Sequence, residues 1–251
     1  MSNKLAGKVG IVTGSSTGIG AAIAKALASE GASVVVNYNS NQANGEAVVA
    51  AITEAGGKAI AFGGDLSKKE NAEGIVKTAI QTFGKLDILV NNAGTSEFVS
   101  IENFSEDIYH KTFDTNVLAP FLVTSAAVRH LTEGASIINI SSAAVQWAPP
   151  QSSVYAASKA AIDVFTTVLS KELGPRKIRV NAIKPGTIVT EKVEMYWEHA
   201  KDYLNSLLEQ TPIGNLGKPD DIGKTAVFLA SDDAAFITGV HLSVSGGFNA
   251  V

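Results

Sequence analysis

Tyr155 and Lys159 stand four residues apart in the run Tyr-Ala-Ala-Ser-Lys. On a helix that spacing puts both side chains on one face, roughly 5–6 Å apart at Cβ. A free phenol has a pKa of about 10, so acid/base work near neutrality asks for a shift of about three units, or roughly 4 kcal/mol. A neighbouring ammonium favours the phenolate and is the most direct means of supplying it. Ser142, thirteen residues before Tyr155, can donate its hydroxyl to a carbonyl oxygen that gathers negative charge during reduction. Lys159 can also donate to a ribose. Each signal is weak alone: Tyr-x-x-x-Lys is usually a solvated helix face, and Ser141-Ser142 at a strand end is usually a turn.

A second set of residues can hold the electron carrier such chemistry needs. Gly14, Ser15, Ser16, Thr17, Gly18, Ile19 and Gly20 form G-x-x-x-G-x-G, between a predicted strand and a predicted helix. Glycines allow the tight turn and let backbone N–H groups approach a pyrophosphate, while the helix N-terminus adds partial positive charge. The end of the second strand should separate NAD from NADP, because a carboxylate there binds the ribose 2′-hydroxyl and a cation accepts a 2′-phosphate. Val36-Asn37-Tyr38-Asn39-Ser40 contains neither. With nothing to repel a phosphate, the reading favours NADP(H), with Ser15, Asn39 and Ser40 as neutral donors. NAD(H) remains open.

The elements that must position these groups alternate along the chain. Strands are expected at Val9–Val12, Val34–Val36, Ala59–Phe62, Ile88–Val90, Ile137–Ile140, Arg179–Ile183 and Val240–Val244. Helices are expected at Gly18–Glu30, Ala43–Ala55, Asn71–Phe83, Ile108–His130, Ser153–Leu173 and Asp220–Leu229, the fourth carrying Pro120 within it. Gly31, Gly84 and Gly174-Pro175 are the expected helix stops. This alternation implies right-handed βαβ crossovers. The expected fold is α/β: a single-domain doubly wound (Rossmann) parallel sheet over 1–251, with helices on both faces. Thr187 to Gln210, with Tyr196, Trp197 and Tyr203, breaks the rhythm beyond a strand end, where open sheets bind ligands. It reads as a small substrate lid, about 187–212, and Trp147 can line the same cleft.

Composition narrows the function classes. Twenty Lys+Arg against 24 Asp+Glu gives −4, without the basic footprint of a nucleic-acid binder. There is no cysteine, which excludes disulfides and thiolate metal sites and suits a reducing cytoplasm. The first residues carry no signal-peptide pattern, and no apolar run reaches the roughly 18 residues of a membrane helix. His110, His130, His199 and His241 are scattered, so no zinc site is expected.

Taken together, the motifs resemble the short-chain dehydrogenase/reductase family. Thr13-Gly14-x-x-x-Gly18-Ile19-Gly20, Asn91-Asn92-Ala93-Gly94, Ser142, Tyr155, Lys159 and Pro185-Gly186 occur in that family's order. The likeness runs from about Leu5 to Asn249. It is nearest to 3-oxoacyl-(acyl carrier protein) reductases and glucose 1-dehydrogenase-like members, whose ending Ala230–Gly239 resembles.

The resemblance implies a ketone/secondary-alcohol oxidoreductase in which Tyr155 is the acid/base, Lys159 lowers its pKa and binds ribose, and Ser142 orients the carbonyl. Asn116 would hold a proton-relay water. Asp65 and Leu66 would contact adenine, and Asn92, Ala93 and Gly94 would line the adenosine side. Pro185, Gly186, Ile188 and Thr190 would meet the nicotinamide carboxamide, and Tyr38 would stand in the ribose segment. The resemblance favours a 3-oxoacyl-type carbonyl as substrate, with a sugar or polyol as the alternative, and a homotetramer; outside enzymes, the alternative is a non-catalytic dinucleotide-sensing Rossmann protein. Four departures stand out: Lys184 before Pro185, Tyr38 for an aspartate, Thr17 for an arginine, and Ser245 before Gly246-Gly247. Glu133 replaces a basic residue of carrier-protein reductases while Arg176 matches one, which leaves an acyl carrier protein partner open.

Overall fold

The computed structural model describes residues 3–191, 193 and 201–248. Seven parallel strands form one sheet in the order β3-β2-β1-β4-β5-β6-β7. They are β1 (Val9–Val12), β2 (Ser33–Tyr38), β3 (Lys58–Gly63), β4 (Leu86–Asn91), β5 (Leu131–Ile140), β6 (Arg179–Pro185) and β7 (His241–Val244). The order reverses between β1 and β4, which pair directly through Ile11 and Leu89. That reversal is the topological switch point, and a crevice opens there at the strands' C-terminal ends.

Every residue of β1 and β4 is buried. This is why Val9–Val12 and the Ile88-Leu89-Val90 centre of β4 are apolar without alternation, with the buried Asp87 and Asn91 flanking the latter. Successive side chains still go to opposite faces. Ile11, Leu89 and Ile137 join one core, while Val12, Val90 and Ile138 join the other. The first core packs under α3 (Lys69–Phe83), α5 (Ala119–Ala127) and α7 (Ser153–Leu173); the second packs under α1 (Gly18–Ser29), α2 (Gln42–Glu54) and α9 (Pro219–Ala230). Truncating a fully buried residue such as Leu89 to Ala costs about 2–5 kcal/mol at such sites. Helices α1 and α9 approach closely because Gly223 has no Cβ; one would lie 3.1 Å from both the Ala22 carbonyl oxygen and Ala26 Cβ. Helix α1 ends ahead of Gly31 at φ +93°, and α3 ends on Gly84 at φ +83°.

The long helix expected over 108–130 is three pieces. Glu106–Phe113 forms α4, Asp114–Leu118 is a π turn, and α5 begins at Ala119. Pro120 sits in the first turn of α5. It has no N–H to continue an α ladder, and the widened turn accommodates it. The chain leaves the helix after Ala127 because β5 starts early, at Leu131. A short helix α6 (Ala144–Trp147) and the helix α8 (Lys201–Glu209) complete the set. Helix α8 lies inside the expected lid; Tyr196, Trp197 and His199 fall outside the described residues.

Candidate active site

A cleft of about 1320 Å³ runs across the C-terminal ends of the strands. Its walls come from the loops after β1, β2, β3, β4, β5 and β6, so the fold itself gathers residues that are far apart in sequence. Dedicated small-molecule pockets are usually about 300–1,000 Å³, so this space can hold more than one small ligand.

At one end lies the glycine turn. Gly14 and Gly18 have φ of +58° and +55°, conformations that side chains rarely adopt. A Cβ at Gly20 would come within 2.4 Å of both Asn92 Nδ2 and the Gly14 carbonyl oxygen. The turn is held from three sides. Thr13 Oγ1 accepts from the N–H groups of Asn92 and Ala93, both at 2.9 Å. Asn92 Nδ2 donates to the carbonyls of Thr13 and Gly14 at 2.9 Å. Asn37 Oδ1 accepts from the Gly14 N–H at 2.9 Å, and its Nδ2 donates to the carbonyls of Phe62 and Gly64 at 3.2 Å. Thr13 and Asn37 were not among the expected site residues. Their signal, a polar residue buried at a strand end, is visible only once the turn they clamp is known.

The expected binding residues divide. Ser16, Thr17, Gly18, Ile19, Asn39, Asp65 and Leu66 line the cleft, as do Ala93, Gly94, Pro185, Gly186, Ile188 and Thr190. Ser15 does not. It is fully buried, its hydroxyl donating to the Val12 carbonyl at 2.6 Å and accepting from the Asn37 N–H at 3.0 Å. It is a brace inside the turn rather than a donor to a ribose phosphate. Tyr38 and Ser40 are also absent from the lining. The Tyr38 ring lies over two glycines, and a Cβ at Gly45 or Gly63 would meet it within 2.6 Å. Asp65 Oδ1 accepts from the N–H and the hydroxyl of Ser67, at 3.0 and 2.7 Å, and so shapes the entry to α3.

The residues present fit a bound dinucleotide. Thr17, the N-cap of α1, makes no side-chain capping bond, and the first turn has no acidic residue. The leading N–H groups of α1 are thus left without a side-chain acceptor at a cleft wall shaped by three glycines. A pyrophosphate satisfies such donors.

At the other end, Ser142, Tyr155 and Lys159 share the cleft wall. Helix α7 carries Tyr155 and Lys159 one turn apart, and Ser142 follows the end of β5. Ser142 Oγ accepts from the Ala144 N–H at 3.1 Å and is the polar neighbour that acts to lower the Tyr155 pKa. Lys159 is buried; its Nζ lies 6.0 Å from the Tyr155 ring centroid and donates to the Ile140 carbonyl at 2.8 Å.

The electrostatics differ from the expectation that Lys159 pulls the phenol down. Burial pushes the Tyr155 pKa up, and the Ser142 hydroxyl only partly offsets it. Burial likewise lowers Lys159 to about 8, against the pull of the Asp163 carboxylate, which raises it. The ammonium addresses a backbone carbonyl, so desolvation dominates at the phenol. Tyr155 is accordingly a protonated donor at neutral pH.

Asn116 lies in the π turn, and its side chain is committed. Its Oδ1 accepts from the Thr95 N–H at 2.8 Å, and its Nδ2 donates to the Thr95 carbonyl at 2.9 Å and Ser158 Oγ at 3.0 Å. The group left to hold a water is its main-chain carbonyl, whose usual helical donor, four residues on, would be Pro120. Gly94 sits between the two polar groups: a Cβ there would lie 3.3 Å from Asn116 Oδ1 and 3.4 Å from Lys159 Nζ.

Beyond Tyr155 the wall turns apolar. Trp147 packs edge-on against Phe248 with ring centroids 5.1 Å apart. Leu204 and Leu207 of α8 join the same cluster. Phe98 lies 5.8 Å from the Tyr155 ring. Among the described residues, no three His, Cys, Asp or Glu side chains gather to hold a metal.

Known proteins share this architecture. A family model described as enoyl-(acyl carrier protein) reductase matches residues 14–249. An uncharacterized oxidoreductase of Methylorubrum extorquens is 52% identical over 245 residues, covering 98% of this chain and 99% of the relative. A hydroxynaphthalene reductase-like protein of Metarhizium majus is 38% identical over 257 residues, covering 97% and 95%. A solved short-chain dehydrogenase of Burkholderia cenocepacia, in complex with NADP, superposes with a TM-score of 0.92 at 37% identity, covering 98% of this chain and all of that one. With a glycine-turn cleft, a Ser-Tyr-Lys wall and these full-length likenesses, the chain belongs to the short-chain dehydrogenase/reductase family of oxidoreductases.

Proposed function

We propose that the protein interconverts a ketone and a secondary alcohol with NADP(H) as its cofactor. The observation that carries this reading is the convergence of Ser142, Tyr155 and Lys159 on the same cleft as the uncapped glycine turn. Bound there, the nicotinamide supplies or accepts the hydride exchanged with the carbonyl carbon. The protein's residues do the rest. Ser142 donates to the carbonyl oxygen as negative charge develops on it. Tyr155 delivers its proton to that oxygen in reduction and takes it back in oxidation. Lys159 stabilises the phenolate left behind, and the Asn116 carbonyl holds the water that returns the proton.

NADP(H) is favoured because Asn39 and Thr17 line the ribose end without a carboxylate. The Burkholderia relative's bound NADP supports the same choice. The Trp147–Phe248 wall suits an apolar or aromatic ketone, including a 3-oxoacyl-type carbonyl, better than a polyol. The likeness to a hydroxynaphthalene reductase-like protein agrees. A carrier protein gains no support. Arg176 Nη2 is tied to the Leu131 carbonyl at 3.2 Å, and Glu133 is paired with Lys177. Residues 187–212 are read as the lid over the substrate end.

Among the described residues no helix is long and apolar enough to cross a membrane; a cytoplasmic setting is part of this proposal, and the absence of cysteine is compatible with it. A homotetramer would cover the exposed Phe121, Val164 and Val168 of α5 and α7 and Leu242 of β7. The test is turnover of both cofactors against an aryl ketone, a β-ketoester and glucose. The reading expects ketone reduction by NADPH to outpace both ketone reduction by NADH and glucose oxidation by NAD+ or NADP+. Faster glucose oxidation would assign the polyol reading instead.

A further inference from the structure

Lys184, the unexpected residue before Pro185, is buried and forms an ion pair with Asp163 at 3.1 Å. The pair bridges β6 and α7 directly beneath the catalytic wall. Asp163 lies one helical turn beyond Lys159, as Lys159 lies one turn beyond Tyr155. Lys184 follows Ile183, whose strand neighbour is Ile140, the residue whose carbonyl receives the Lys159 ammonium. Tyr155, Lys159 and Asp163 thus follow one another at one-turn spacing along α7, and Asp163 pairs with Lys184 on β6.

Stability alone does not explain the pair. A buried ion pair is often no better than apolar residues of the same volume. This one also leaves a cost uncompensated: Asp163 Oδ1 has no hydrogen-bond partner among the described residues. A carboxylate held dry, with one oxygen unbonded, keeps a strong field on its other neighbour. That neighbour is Lys159, whose charge Asp163 supports against burial.

We propose that Asp163 is a positioning residue that keeps Lys159 charged in the working enzyme, and that Lys184 sets how much of the carboxylate's field Lys159 receives. The surroundings leave few competing groups. On α7 the titratable neighbours are Tyr155 and Asp163. Strand β6 brings Lys184. Strand β7 brings His241, whose Nε2 lies 3.0 Å from the Asp163 backbone carbonyl, not its carboxylate. The π turn brings Asp114 and the neutral Asn116, and the end of β5 brings Ser141, Ser142 and the Ile140 carbonyl.

The inference rests on the proposed role of Lys159, but its test does not need turnover. The Lys159 ammonium is titrated in the ligand-free protein by NMR of labelled lysine side chains, assigned with Lys159→Arg. The apolar double variant Asp163→Leu/Lys184→Met removes both charges without leaving either unpaired. Its Lys159 midpoint is expected to fall by about one pH unit or more, the usual size of such a charge effect. Lys184→Met alone leaves Asp163 facing Lys159 unshared, and the midpoint is expected to rise. Midpoints that stay at the wild-type value in both variants, or move the same way in both, overturn the proposal. Opposite shifts in a protein that turns over no ketone would uphold it and sink the ketone reading instead.

Discussion

The two ends of the cleft are built from different materials. The glycine-turn end is backbone, clamped by Thr13, Asn37 and Asn92 through several hydrogen bonds of 2.9–3.2 Å. The far end is side chain: Trp147, Phe248, Leu204 and Leu207 in van der Waals contact, with few polar anchors. Hydrogen-bonded backbone tolerates little change, because each lost partner leaves a buried polar group unpaired. Apolar side chains can be exchanged at modest cost if volume is kept. The dinucleotide end is therefore built to accept one kind of ligand, and the substrate end to be adjusted. Tyr155 stands at the seam.

That contrast can be broken at the seam and at either end. Tyr155→Phe removes the proposed proton donor and leaves both ends standing. Turnover should fall by about 10²–10⁴-fold, the usual contribution of a general acid, while dinucleotide affinity measured by fluorescence titration stays at the wild-type value. At the backbone end, Gly20→Ala drives a methyl group into Asn92 and the Gly14 carbonyl. It should lower thermal stability by about 1–3 kcal/mol and weaken dinucleotide binding, both readable in one ligand-dependent melting series. A variant that melts and binds like the wild type would show that the turn is not the rigid element described. At the side-chain end, Trp147→Ala should raise the KM for an aryl ketone about tenfold, or about 1.4 kcal/mol, with dinucleotide affinity untouched. Equal losses of ketone and dinucleotide affinity would dissolve the distinction between the ends.

The smallest effect is on pH. Lys159 is lowered to about 8 in the folded chain, below its ordinary value of about 10.5. Between these values the unfolded chain binds the proton more tightly, so on this group's account stability rises with pH there. Below pH 8 both states are protonated and the burial cost is fully present. Carbonyl reduction should move oppositely, declining as pH rises through about 8 and Lys159 loses its charge. Parallel denaturant melts and rate profiles would reveal whether the two trends diverge.

The sequence made the backbone end easier to foresee than the side-chain end, for the same reason. Glycine spacing, strand–helix alternation and the stops at Gly84 and Gly174-Pro175 are local signals, and α7 begins and ends where they place it. The Ser-Tyr-Lys set was legible because one helix turn and one strand end fix it. What was not legible depends on packing across the sheet. Which residue of the glycine turn faces inward is settled by Asn37 from β2, and so Ser15 reads as a ligand donor until the fold buries it. Pro120 looked tolerable inside one long helix, yet it opens α5 beyond a π turn. The proximity of Lys184 to Asp163 joins residues from β6 and α7, and no spacing rule connects them.

The account stands most directly on consumption of reduced NADP by the wild-type protein at neutral pH, followed with and without an aryl ketone and matched to the alcohol formed. It predicts that absorbance of the reduced nicotinamide falls only when ketone and protein are both present, with one alcohol produced per dinucleotide oxidised. Tight dinucleotide binding with no alcohol formed from any ketone offered would contradict it.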